Sequence, residues 1–451
     1  MTEDVRQLSV GQRALWLVQR LAPDSAASNV VHGLYVEPAL DPDLVRRALT
    51  VVRSRHDLLR SRFVQTDHGP VRVVDRDPPT EVEVHDVPDL DDDGLLRRCK
   101  KLGDQPLRLG DDGPLRAALL RRRTDCVLVV VVHHIATDFH SQRIVWQELA
   151  EVYAALRAGR PVELPPVGGT YDDFLARQQA ALSGERGERL RAYWDRVCDG
   201  ATAVTLPTDR PRPPVRSFRG GAFSQPLPDD LVVGLRQAAA TAGVTPYSVV
   251  LAAFQATMYR YSGLGEFTVG CPATLRRGRA LRGVVGLLVN TIALRGSFDT
   301  GTTFAEAIAA ASRQLTDGVA HAAYPFPLVQ ASRRSQGPVV RVTVTLLAHQ
   351  HDDDFTYERH PFVGHRVRLL DIPYDEGQFD LSATLTQYND GRIEAEFGYD
   401  VDLFDEPTVR RLARHFLQML RVACTAPQTV VSRAPMVDET ELRDLLALGA
   451  R

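Results

Sequence analysis

Lysine is almost absent from this chain. It occurs only at Lys100 and Lys101, so nearly every cation is an arginine, a bias that fits a GC-rich coding background and carries no functional weight. Excess positive charge is missing too: the formal net charge is -3, and runs of like charge such as Asp91-Asp92-Asp93 stay short, which argues against a nucleic-acid partner. The five cysteines, Cys99, Cys126, Cys198, Cys271 and Cys424, are odd in number and scattered, with no CxxC pair. That spacing disfavours both a disulfide framework and a zinc site and points to a reducing cytoplasm. No apolar run approaches the roughly 18 residues that span a bilayer, and the first residues lack the charged-then-apolar pattern of an export signal, so no membrane association is expected. What remains, 451 residues of which 44% are hydrophobic and 25% charged, is ordinary globular material with enough chain for two or three cores.

Apolar residues recur at helical spacing over 12–20 (Leu15, Trp16, Leu17) and 43–55 (Leu44, Leu49, Val52). Residues 71–74 and 127–132 read as strands, and the second, Val-Leu-Val-Val-Val-Val, is apolar on both faces as a central strand must be. Ile144, Val145, Leu149, Val152, Tyr153 and Leu156 then predict a helix that stops near Gly159-Arg160-Pro161. Two Pro- and Gly-rich connectors, 161–170 and 206–221, flank a helical stretch at 171–197. Beyond them the alternation begins again: helix at 245–262, strand at 267–270, helix at 304–316, strand at 339–347 and helix at 406–424. The polar residues from 425 onward read as a linker leading elsewhere.

His133 and His134 stand where the buried strand ends, and Asp138 follows after three residues. A titratable imidazole at the lip of a sheet is where a pocket needs a base. Neighbours in an extended chain face opposite ways, so one histidine addresses a substrate and the other is structural. A positioned general base is worth about 10²- to 10⁴-fold in rate, roughly 3 to 5 kcal/mol. The plainer readings stay open at this point: a buried histidine as satisfied packing, and Asp138 as the N-cap of the next helix.

These residues, together with others in the same order, resemble the condensation domains of nonribosomal peptide synthetases, whose signature is HHxxxDG. The segment SVGQRALWL (9–17) resembles the family's first motif, RHDLLRSRF (55–63) its second and YDDF (171–174) its fourth. VGLLVNT (285–291) with Arg295 resembles the fifth. Residues 321–326 match the sixth loosely, 333–338 match the seventh poorly, and LPTDRPRP (206–213) is a connector of the family's kind.

The resemblance implies an α/β fold of two chloramphenicol-acetyltransferase-like lobes in a V-shaped pseudo-dimer, each a mixed sheet flanked by helices. An N-terminal lobe would span 1–175, and a C-terminal lobe with floor and latch elements and a terminal linker would span 176–451. It implies a monomeric acyltransferase with no bound cofactor and no metal. Acyl groups would arrive on the phosphopantetheine arms of donor and acceptor carrier proteins, with an adjacent adenylation domain as a further partner. His134 would contact the attacking amine or hydroxyl, His133 would be structural, and Asp138 would pair with an arginine of the second lobe, for which Arg276 has the right interval. Asn290 would lie near the substrate tunnel; Gln12, Arg13, Trp16 and Arg60 would pack and hydrogen-bond. Phe139 departs from the pattern by standing where the family has glycine, and would reshape the tunnel floor for a donor other than a peptidyl chain, or pack silently. An epimerisation domain, a coenzyme-A-dependent acyltransferase and a non-catalytic carrier-docking module are the alternatives.

Overall fold

The structure, a computed structural model, describes residues 4–76, 80–333, 337–348, 362, 364–370, 372, 378–388, 390–437, 441 and 443. It is mixed α/β and divides into two compact units that are not successive halves of the chain. The first takes the chain as far as Ala181, the segment Thr274–Val289 and the described residues between 362 and 372. The second takes Leu182–Ala273, the residues from Asn290 to 348 and those from 378 onward. Arg276, expected from a second lobe, thus belongs to the first unit.

In the first unit the strand Cys126–His133 is buried along all eight residues. It lies between Asn29–Glu37 and Leu115–Arg121, antiparallel to both. Arg366–Leu370 and Glu83–Asp86 form the two edges of this five-stranded sheet. Its β-branched run fits a strand covered on both sides: one face packs on Val145, Trp146, Leu149 and Val152 of the helix Phe139–Arg157 and on Val45, Leu49 and Val52 of the helix Pro42–Arg55. The other packs on Leu95, Cys99 and Leu102 of the helix Asp92–Gly103. A small antiparallel sheet joins Asp4–Gln7, Gly69–Val74 and Ser61–Thr66.

The second unit holds a seven-stranded sheet ordered Val289–Ser297, Glu266–Thr274, Val342–Ala348, Leu381–Gln387, Ile393–Asp400 and Gly220–Pro226, with Thr202–Ala203 paired beside Glu266–Thr274. The helices Pro246–Ser262 and Glu406–Thr425 carry buried faces into this unit's core.

Two further expectations need correction. The helical stretch at 171–197 is two helices, Tyr171–Leu182 and Gly184–Cys198, because Gly184 takes φ 59° and turns the chain between them. The segment after 425 does not lead away as a linker where it is described. The Phe304 N–H donates to the Thr429 carbonyl, the Val431 N–H donates to the Thr302 carbonyl, Val431 is fully buried, and the Arg260 guanidinium holds the carbonyls of Val431 and Ala434. Residues 334–336 of the seventh motif and most of 438–451 lie outside the described residues.

Candidate active site

The buried strand stops at His133, and the next three residues, His134–Ala136, form a single 3-10 turn. The two histidines are therefore separated by a change of backbone as well as by the strand's alternation. His133 is 1% exposed; its Nδ1 accepts the Ile135 N–H at 3.1 Å, so Nε2 carries the proton, 3.2 Å from Gln19 Oε1. Burial, then the neighbouring His134 charge, lowers its pKa to about 3. It is a neutral brace for the turn.

His134 is partly exposed. Its Nδ1 lies 2.7 Å from the carbonyl of Thr137, and a carbonyl can only accept, so Nδ1 holds the proton. In the neutral ring Nε2 is then left with its lone pair. The His134 backbone is held as well, its N–H donating to the Ser28 carbonyl at 2.7 Å. Gln12 braces the turn from behind. It forms a capping box with Ser9 at the start of the helix Val10–Leu21, and its Nε2 donates to the Ile135 carbonyl at 2.9 Å.

Asp138 is both of the things its position allowed. It caps the helix Phe139–Arg157, Oδ1 accepting the Ser141 N–H at 2.8 Å, and it pairs with Arg276 Nη2 at 2.8 and 3.0 Å. Oδ2 also accepts the Leu288 N–H at 2.9 Å. Burial pushes the carboxyl up, but the Arg276 charge and the Ser141 N–H and hydroxyl outweigh it and hold the group below the usual carboxylate range. Arg276 spends its other amino group on the carbonyls of Leu281 and Val284.

Ser141 Oγ accepts from Arg276 Nη2 at 2.6 Å and from the Gly286 N–H at 2.9 Å, and places its proton towards Asp138. Gly286 has no room for a side chain: a Cβ would sit 2.5 Å from the Tyr171 ring and 2.7 Å from Leu58. The Tyr171 hydroxyl in turn reaches Ser9 Oγ at 3.0 Å and the Leu287 carbonyl at 3.2 Å. The first, fourth and fifth motifs thus meet behind His134 as a polar frame.

Asn290, in the second unit, donates to the carbonyls of Ala322 and Tyr324 at 2.9 and 2.8 Å and accepts the Phe326 N–H at 2.9 Å, which makes it a clamp on the turn at 321–326. Phe139 is the first residue of its helix and 41% exposed. It is not among the residues of positive φ, so the backbone itself does not call for glycine there. His140 donates from Nε2 to the Arg282 carbonyl at 3.1 Å.

Ser141 and Gln142 are site residues that the motif spacing does not single out. Carried back one turn from Val145 and Leu149, the helix's apolar spacing puts positions 141 and 142 on its buried face, where serine and glutamine are conspicuous. Among the described residues no group of three or more His, Cys, Asp or Glu side chains is arranged to hold a metal, and no helix is long and apolar enough to cross a membrane.

A family model for the condensation domain matches residues 2–446. The chain belongs to the condensation-domain family. Chondramide synthase cmdD of Chondromyces crocatus is 29% identical over 453 residues, a match covering 98% of this chain and 11% of that protein. Tyrocidine synthase 2 of Brevibacillus parabrevis is 29% identical over 442 residues, 97% of this chain and 12% of its own length. This condensation domain therefore spans only a small part of such relatives. Among solved structures, the X-domain from teicoplanin biosynthesis superposes with a TM-score of 0.85 at 24% identity, over 97% of this chain and 99% of the other. The four-domain nonribosomal peptide synthetase AB3403 gives 0.87 at 19% identity, covering 98% of this chain and 35% of the other. These likenesses establish the fold.

Proposed function

We propose that this condensation domain joins an acyl group, carried as a thioester on a donor carrier protein, to an amine or hydroxyl presented by an acceptor carrier. The supporting observation is the fixed tautomer of His134. With Nδ1–H committed to Thr137, the lone pair of Nε2 accepts the N–H or O–H of the nucleophile. As the nucleophile attacks the thioester carbonyl, the new C–N or C–O bond forms and the C–S bond breaks. The proton released from the nucleophile passes to Nε2 and then to the departing thiolate. Aminolysis of a thioester runs downhill, so orientation supplies most of the acceleration. Asp138, Arg276 and Ser141 touch no reacting atom in this scheme; they hold the helix start and the 3-10 turn that aim His134.

The phosphopantetheine arms belong to the carriers, and the domain itself needs no resident cofactor. Arg277, Arg279 and Arg282 are on the loop that carries Arg276, and no acid occurs between Glu266 and Asp299, which favours an acidic carrier face. We place the chain as a monomer beside carrier and adenylation domains, and assign Phe139 to donor choice because it is 41% exposed one residue beyond Asp138.

A second reading, a docking module that recruits another protein, has support in the likeness to an X-domain solved in complex with OxyB, with a TM-score of 0.85. Supplying the acyl group on a carrier and, separately, on coenzyme A, each with a carrier-bound amine, separates the readings. Product from the carrier thioester alone supports the proposal. Product from coenzyme A alone marks a different acyltransferase, and no product from either favours recruitment.

A further inference from the structure

The carbonyl that fixes the His134 tautomer belongs to Thr137, whose own side chain is held by a residue outside the signature. Thr137 is fully buried, and its Oγ1 lies 3.1 Å from Nε2 of Gln142, which is fully buried too. Gln142 Oε1 is a buried acceptor with no hydrogen-bond partner among the described residues. A buried amide satisfied at one end only is a poor way to stabilise a core, since the idle carbonyl gives up its hydration for nothing. An aliphatic side chain of equal length would pack at this helix position without that loss. What the amide supplies is a second point of attachment for Thr137, whose backbone is otherwise extended (φ -151°, ψ 163°) between the 3-10 turn and the helix. A long N–H contact of 3.4 Å to the His134 carbonyl is its other tie back to the turn.

We propose that Gln142 is a positioning residue for the condensation reaction, acting through the Thr137 hydroxyl to aim the Thr137 carbonyl at His134 Nδ1 and so to keep Nε2 free of a proton. The relay runs Gln142 Nε2–H to Thr137 Oγ1, along the Thr137 backbone, and from its carbonyl to His134 Nδ1–H. Without it the carbonyl can swing, and the imidazole returns to a mixture in which Nε2 carries the proton and cannot accept from the nucleophile. The catalytic weight of the relay rests on the function proposed above. The tautomer does not.

The test is therefore spectroscopic first. The protein is labelled with ¹⁵N-histidine, the His134 ring is assigned by its loss in His134→Ala, and the two ring nitrogens are read at a pH where the ring is neutral. Wild type should show a protonated Nδ1 and a bare Nε2. Gln142→Met keeps the bulk and removes the amide, and Thr137→Val removes the hydroxyl without changing shape; both should move the ring towards the mixed tautomer, and Thr137→Ser should keep the wild-type pattern. In carrier-to-carrier transfer, Gln142→Met, Thr137→Val and their double variant should lose kcat by the same factor, roughly tenfold and a fraction of what a positioned base is worth, with KM unchanged. An unchanged His134 tautomer in folded Gln142→Met, checked by its thermal midpoint, overturns the inference whatever the activity. A shifted tautomer with transfer still intact in His134→Ala leaves the relay standing and overturns the catalytic reading instead.

Discussion

Replacing Asp138 with alanine should be among the most damaging single changes in the first unit, and the structure says how damaging. The carboxylate caps its helix through the Ser141 N–H, a contact worth about 1 kcal/mol. It also neutralises Arg276, whose side chain is 5% exposed. Removing one partner of a buried ion pair costs about 3–5 kcal/mol because the other charge is left uncompensated. The Leu288 N–H would lose its acceptor as well, at about 1–3 kcal/mol. The three losses share one site and will not add fully, which leaves about 5 kcal/mol, or roughly 10–20 °C in the first unit's midpoint. Trp146 lies fully buried on the same helix, so its fluorescence reports the transition in urea or on heating. Arg276→Met should cost less, because Asp138 keeps the Ser141 N–H and hydroxyl and the Leu288 N–H. A loss in Asp138→Ala no larger than an ordinary cap, about 1 kcal/mol, would refute this account of the buried pair.

Acid should weaken the first unit through His133. Its folded value of about 3 lies below the unfolded histidine value of about 6.5, so between those limits the unfolded chain takes a proton that the fold refuses. Its contribution is complete above about pH 6.5 and is lost as the pH falls towards 3; His133→Asn, which keeps an acceptor for Ile135, should flatten the fall in urea midpoint between about pH 7 and 5. Asp138, with its lowered pKa, contributes above the unfolded carboxyl value of about 3.9 and loses that contribution only in stronger acid. Gly286→Ala should cost about 2 kcal/mol in thermal unfolding, because the new Cβ must displace Tyr171 or Leu58. Phe139→Gly should shift the relative rates with peptidyl and polyketidyl donors in competition, and an unchanged ratio removes Phe139 from donor choice.

The central strand, the helix after it and the helix at 406–424 were legible because their patterns are long and one-sided or wholly apolar. Some elements interrupted by glycine were not. The strand Asn29–Glu37 carries Gly33 within its alternation, and the helix Asp229–Ala242 carries Gly234, so each pattern is broken where a glycine weakens the signal. The hairpin of Leu381–Gln387 and Ile393–Asp400 had a readable sign in Asn389-Asp390-Gly391, a turn sequence between two alternating runs. Of the site, the order of the motifs pointed to His134, Asp138 and Arg276 together. Nothing in linear spacing could show that a glycine at 286 and a serine at 141 would share hydrogen bonds, because they are 145 positions apart and the chain folds away before it returns. The two-unit division was illegible as a single cut for the same reason: Thr274–Val289 returns to the first unit while its flanking strands belong to the second sheet.

The most direct test of the central claim is intact-mass analysis of an acyl-loaded donor carrier and an aminoacyl-loaded acceptor carrier, mixed with wild type or His134→Ala. With wild type the acceptor should gain the mass of the acyl group as the donor returns to its free thiol, and with His134→Ala both masses should stay as loaded. Equal transfer by the two proteins would contradict the assignment of His134 as the group that receives the nucleophile's proton.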